Sequence, residues 1–208
     1  MLQPIDLQIA NRIYGNRRGS AFSTADFSTL AVRSTIASIL RRLEKKGKIR
    51  SVIRGVYDFP KFSKLLNQEL SPDIDQVARA KARKFGWRIQ PGGAMAANLL
   101  DLSNQVLARV VYTSDGPDRT YKIGKRTLVF KHAAIKEADF KLKESGLIVQ
   151  SLKFLGQKNI TPEVIAKLRR TYSPALRAKI LKDTRTATGS VYAIIQQLAA
   201  DEASGKNS

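Results

Sequence analysis

The chain has 208 residues, room for one large domain or two small ones, and 43% of them are hydrophobic, which excludes global disorder. Lys and Arg number 37 against 17 Asp and Glu, and the net charge of +20 points to a polyanionic partner, nucleic acid ahead of an anionic membrane surface. Cysteine is absent, so disulfides and thiolate zinc sites are excluded.

The N-terminal third is the most one-sided part: residues 1–62 carry 12 basic and 4 acidic side chains. The start, MLQPIDLQIANRI, lacks the basic and long apolar regions of a secretion signal. No apolar run approaches the roughly 20 residues that span a bilayer. A cytoplasmic protein without membrane contact is expected.

Leu7, Ala10, Ile13 and Tyr14 share one helical face, which predicts a first helix over 7–14 ended by Gly15. GNRRGSAF is a basic loop holding Arg17 and Arg18. Ser23 or Thr24 is a suitable N-cap for a second helix over 25–30. After a short turn, Ser34 or Thr35 opens a third helix that runs to Lys46, with Gly47 just past its end. Ile36, Ile39, Leu40 and Leu43 form its apolar stripe; Thr35, Ser38, Arg41, Arg42 and Lys45 lie on the other face.

Lys48–Ile53 and Val56–Phe59 read as two strands joined by a turn at Arg54-Gly55. Residues 61–71 read as a linker. Asp73–Phe85 reads as a helix with Ile74, Val77, Ala78, Lys81 and Phe85 inward and Gly86 at its end. A short strand (87–90), a Pro91-Gly92-Gly93 break and a short helix (94–100) follow. Three further strand-like runs, 108–113, 119–123 and 127–131, suggest a small antiparallel meander. Helices are expected near 137–145, 147–156, 162–171, 174–184 and 190–200, before a disordered tail over 201–208.

Helix, turn, helix and basic hairpin in this order describe a winged helix-turn-helix, which makes double-stranded DNA the leading partner. Arg33, Ser34, Thr35 and Ser38 are placed to reach base edges in the major groove. Arg41, Arg42 and Lys45 are better placed for phosphate. Lys48, Arg50 and Arg54 fall on the wing, with Arg54 at its tip able to enter the minor groove. Arg17 and Arg18 could touch the backbone. An ordinary solvated cationic helix, or a winged helix that docks a protein, would share the same pattern.

Other chemistry finds little support. His132 is the lone histidine and has no carboxylate spaced to orient it. Asp73-Ile74-Asp75 has the form of a metal pair but sits at a helix start, where carboxylates favour the helix dipole. Pro91-Gly92-Gly93 could cradle an anion, yet reads better as a strand-to-helix turn. No enzyme, no metal and no cofactor are expected.

Arg54-Gly55-Val56-Tyr57, then GWRIQPGGAMAANLLDLS (Gly86 to Ser103), then TSDGPDR (Thr113 to Arg119) resemble the AbiEi-type antitoxins of bacterial type IV toxin–antitoxin systems over roughly residues 5–135. The resemblance implies an α+β, mainly helical fold. A winged helix-turn-helix domain over 1–62 would precede a C-terminal antitoxin domain over 63–200, with a small antiparallel sheet and a helical end. It also implies an autorepressor that binds inverted repeats in its own promoter, as a monomer or as a dimer on DNA. Its functional partner would be a nucleotidyltransferase-like toxin of an abortive-infection operon. A module that binds and neutralises the toxin directly, and a nucleic-acid-directed enzyme, are the alternatives.

Overall fold

Pro4, whose ring fixes an extended entry, precedes helix α1 (Ile5–Tyr14) in the computed structural model, which describes residues 4–132 and 140–200. The tail over 201–208 lies outside the described residues, as does the start, 137–139, of the expected helix over 137–145. The described residues combine eight α-helices with small antiparallel sheets, about half of them helical. They group into two units, drawn from Met1–Ile89 with Gly116–Phe130, and from Gln90–Asp115 with Lys131–Ser208.

In the first unit α1 is followed by β1 (Ala21–Phe22), a single 3₁₀ turn (Thr24–Phe27), α2 (Arg33–Lys45), β2 (Arg50–Ile53) and β3 (Val56–Asp58). The three strands form one sheet in the order β1-β3-β2, antiparallel throughout, with Phe22 opposite Tyr57 and Arg50 opposite Asp58. The second helix expected over 25–30 is only that 3₁₀ turn. Ser23 caps it with a full capping box: its hydroxyl accepts from Ala25 N–H, and Asp26 accepts from the Ser23 N–H at 2.7 Å. Residues 28–31 stay in turns, so the chain reaches α2 without a second α-helix. Helix α2 begins earlier than expected, with Val32 in the N-cap place, and Ser34 and Thr35 lie within its first turn. Ile36, Ile39 and Leu40 are buried against Ile9, Ile13, Phe22, Phe27, Ile49 and Phe59, while Leu43 packs at the edge of this core.

The expected linker over 61–71 is instead a small hairpin, β4 (Phe62–Ser63) against β5 (Gln68–Glu69), turned at Asn67 with φ +47°. Helix α3 (Ile74–Phe85), expected to open a second domain, packs on β1, β3 and the 3₁₀ turn. Arg83 reaches across to Asp26 at 2.6 Å and to the Ala21 carbonyl at 3.0 Å. Hairpin β8 (Arg119–Ile123) and β9 (Arg126–His132) completes the unit, with Ile123 opposite Arg126, and β8 lies against β2.

In the second unit, β6 (Ile89–Pro91) runs beside β7 (Arg109–Ser114), and the Thr113 hydroxyl donates to the Gln90 carbonyl at 3.2 Å. The expected meander is therefore not formed by consecutive pairing of its first two runs: β7 lies beside β6, and β8 turns back on β9. Helix α4 (Gly93–Leu99) packs along α5 (Lys143–Leu155), so closely that a Cβ on Gly93 would stand 2.9 Å from the Gln150 carbonyl. Gly146, expected to end a helix, lies inside α5 and faces Gln90. Close packing against the Gln90 side chain, not a helix break, requires that glycine. Helices α6 (Pro162–Thr171), α7 (Pro174–Asp183) and α8 (Gly189–Ala199) close a core around Leu152, Leu168, Ile180 and Ile195.

Candidate nucleic-acid interface

The apolar stripe of α2 faces the core, which leaves Arg33, Ser34, Thr35, Ser38, Arg41, Arg42 and Lys45 exposed on the opposite side. Lys48 is exposed just before β2, and Arg17 is exposed in the loop after α1. Arg54 is exposed at the hairpin tip, where Gly55 adopts φ +75° and makes the tight turn possible.

Three of the expected contacts are engaged inside the protein. Arg42 pairs with Asp6 of α1 at 2.8 Å, an exposed pair worth about 0–1 kcal/mol. Arg50 is held by Asp58 through two hydrogen bonds, Nε to Oδ1 at 3.1 Å and Nη2 to Oδ2 at 2.6 Å. It also reaches Glu69 at 3.4 Å and the Leu70 carbonyl at 3.1 Å. The Asp58 hydrogen bond, against the opposing effect of burial, raises the Arg50 pKa above its ordinary value. Arg50 therefore anchors the hairpin to β4–β5, because a buried aspartate opposite it needs a cation. Arg18 lies over the Phe59 ring, 4.4 Å from its centroid, and donates to the Pro60 carbonyl at 3.0 Å.

Two cations not among the sequence candidates lie behind the hairpin tip. Lys81 of α3 is only 4% exposed and donates to the Arg54 carbonyl at 3.3 Å. Its ammonium sits 4.6 Å from the Tyr121 ring and 5.1 Å from the Phe85 ring. Lys84, one turn on and half-buried, donates to the Gly55 carbonyl at 3.5 Å. Burial lowers the pKa of both lysines. Positive neighbours lower them further: Lys84, Arg54 and Arg119 around Lys81, and Arg33 and Arg54 around Lys84. The start of α2, the hairpin tip and α3 thus bring Arg33, Arg54 and Lys84 into one cationic cluster. Lys81 at an inward helix position was the available signal, since a buried ammonium requires acceptors from another element. Lys84 carried no such mark. Phe85, expected inward, is 52% exposed and stacks on Trp87 with centroids 4.9 Å apart.

The remaining candidates resolve into packing and capping. Asp73 accepts from the N–H groups of Asp75 and Gln76 as the N-cap of α3, and Asp75 pairs with Arg79 at 2.7 Å. Among the described residues no three His, Cys, Asp or Glu side chains group as metal ligands. Gly92 is the N-cap of α4 and donates to the Val111 carbonyl at 2.8 Å, a strand-to-helix turn. His132 is exposed at the end of β9. Gly116 lies under the indole of Trp87, and Asn98 holds the loop after α4 through the Gln105 carbonyl at 2.7 Å.

Comparison with known families places most of the chain. Residues 8–177 match the DUF6088 family, a family of unknown function. The chain belongs to that family. The matched span holds every element from α2 to α6, and so both the cationic cluster and the packed glycines described above. No curated protein matches the chain. No helix among the described residues is long and apolar enough to cross a membrane.

Proposed function

We propose that the chain is a winged-helix protein that binds double-stranded DNA and represses its own operon. The observation that carries this reading is the order α1–β1–turn–α2–β2–β3 with its β1-β3-β2 sheet, joined to an α2 face of exposed polar and cationic side chains. That arrangement is what a recognition helix followed by a wing requires. The single 3₁₀ turn takes the place of the middle helix. In this reading Arg33, Ser34, Thr35 and Ser38 meet base edges, and Arg41, Lys45, Lys48 and Arg17 meet phosphates. Arg54 enters the flanking minor groove beside Lys84. The antitoxin role, with a nucleotidyltransferase-like toxin as functional partner, rests on the resemblance of the central motif to the AbiEi-type antitoxins.

The test is binding of the purified full chain to its own upstream DNA and to a scrambled duplex, by fluorescence anisotropy at several salt concentrations. A preference for the upstream fragment that persists near physiological salt is expected, and Arg33→Ala or Ser38→Ala should alter it. Equal binding that collapses with salt on both duplexes would mean the charge is a general polyanion affinity and would refute the repressor reading.

A further inference from the structure

A groove of about 730 Å³ opens on the first unit beside the start of α2. Small-molecule sites usually occupy about 300–1,000 Å³. One wall is apolar, with Leu30, Val32 and Phe85 in the lining, and it faces solvent: Val32 is 69% exposed and Phe85 52% exposed. Ser28 and Thr29 add hydroxyls, Arg33 and Lys84 add two positive charges, and no carboxylate lines the groove.

This lining is mismatched to the obvious ligands. A phosphate backbone would use the cations and leave the apolar wall against water. A neutral apolar ligand would use the wall and leave Arg33, Lys84 and the nearby Arg54 repelling one another. An anion with an apolar body satisfies both, through burial of the body and charge-assisted hydrogen bonds to the head.

We propose that the groove binds a small amphiphilic carboxylate, its head at Arg33 and Lys84, and that this ligand competes with nucleic acid for those two side chains. The binding stands on the groove alone; the competition rests on the DNA reading above.

Trp87 is the chain's one tryptophan and stacks on Phe85, so its fluorescence reads the groove. The full chain is titrated with sodium octanoate, and with octanamide as the neutral isostere. Octanoate should give a saturable change, and octanamide should bind about tenfold more weakly, the worth of one charge-assisted hydrogen bond. Lys84→Met keeps the apolar stem and should weaken octanoate by a similar factor. Val32→Asp should also weaken it; the position is exposed and is the N-cap of α2, where aspartate is favoured, so the fold is retained. Absence of a saturable change, equal affinity for octanoate and octanamide, or indifference to both substitutions overturns the assignment. In a second arm, duplex binding is measured at saturating octanoate, where a loss of at least about tenfold is expected. Unchanged duplex affinity beside intact octanoate binding overturns the competition. No duplex binding with or without octanoate refutes the DNA reading instead, and octanoate binding then still supports the groove.

Discussion

Replacing Arg50 by methionine separates a structural anchor from a nucleic-acid contact. Asp58 is 1% exposed, and Arg50 meets both of its oxygens, at 3.1 and 2.6 Å. Arg50→Met keeps most of the stem but strands a buried carboxylate. Breaking a buried pair in this way costs about 3–5 kcal/mol. The Arg50 side chain is itself 29% exposed, so solvent screens part of the interaction and the lower end, about 3 kcal/mol, is expected. That is a loss of roughly 150-fold in the folding constant. Urea unfolding followed by Trp87 fluorescence reports the unit that holds the pair. Arg50→Met with Asp58→Asn should recover most of the loss, because the stranded charge is gone. A midpoint that barely moves, together with weaker duplex binding, would return Arg50 to the wing surface and refute the anchor.

Arg41→Ala and Lys84→Ala should each weaken all duplexes and lower the salt slope by about 0.9, whereas Arg42→Ala, already paired with Asp6, should lower it less; anisotropy against salt concentration checks all three. Gly116→Ala would place a Cβ 2.4 Å from the Trp87 ring, so a loss of about 1–3 kcal/mol and an altered Trp87 emission are expected in urea unfolding. Asp183 accepts from the backbone of Lys141 and Leu142, at 3.1 and 2.9 Å. Burial pushes its carboxyl up, but the Ser145 hydroxyl, these amides and the Lys141 charge outweigh burial and hold its pKa below the ordinary carboxylate value. A depressed folded pKa stabilises above the unfolded value, and the gain is lost as pH falls through the folded one. Asp183→Asn should therefore cost about 1 kcal/mol near neutral pH and nothing in strong acid, measured by circular dichroism across pH.

Local pattern was enough to read α2 and the β2–β3 hairpin, because a single helical stripe and a glycine turn are written in neighbouring residues. The Asp73 cap was legible for the same reason. What eluded the sequence depends on partners far away in the chain. Arg50 reads as a wing cation until Asp58 is known to be buried opposite it. The run over 61–71 reads as a linker because two-residue strands carry almost no periodicity. Gly146 reads as a helix end until Gln90 is seen beside it, and Lys84 becomes part of a cluster only once α3 is packed against the hairpin tip. The N-cap residue Ser23 signalled a helix, but after one 3₁₀ turn the next residues continue only as turns.

The lowered pKa of Lys84 also makes it a reagent-sensitive position. An amine that sheds its proton more readily than ordinary surface lysines is the better nucleophile at mildly alkaline pH, and Lys84 is only half-buried. Lys81 shares the lowered pKa but is shut behind Phe85 and Tyr121. Brief acylation should therefore mark Lys84 ahead of Lys81, so that the rate of covalent labelling at Lys84 becomes a direct readout of what covers the start of α2.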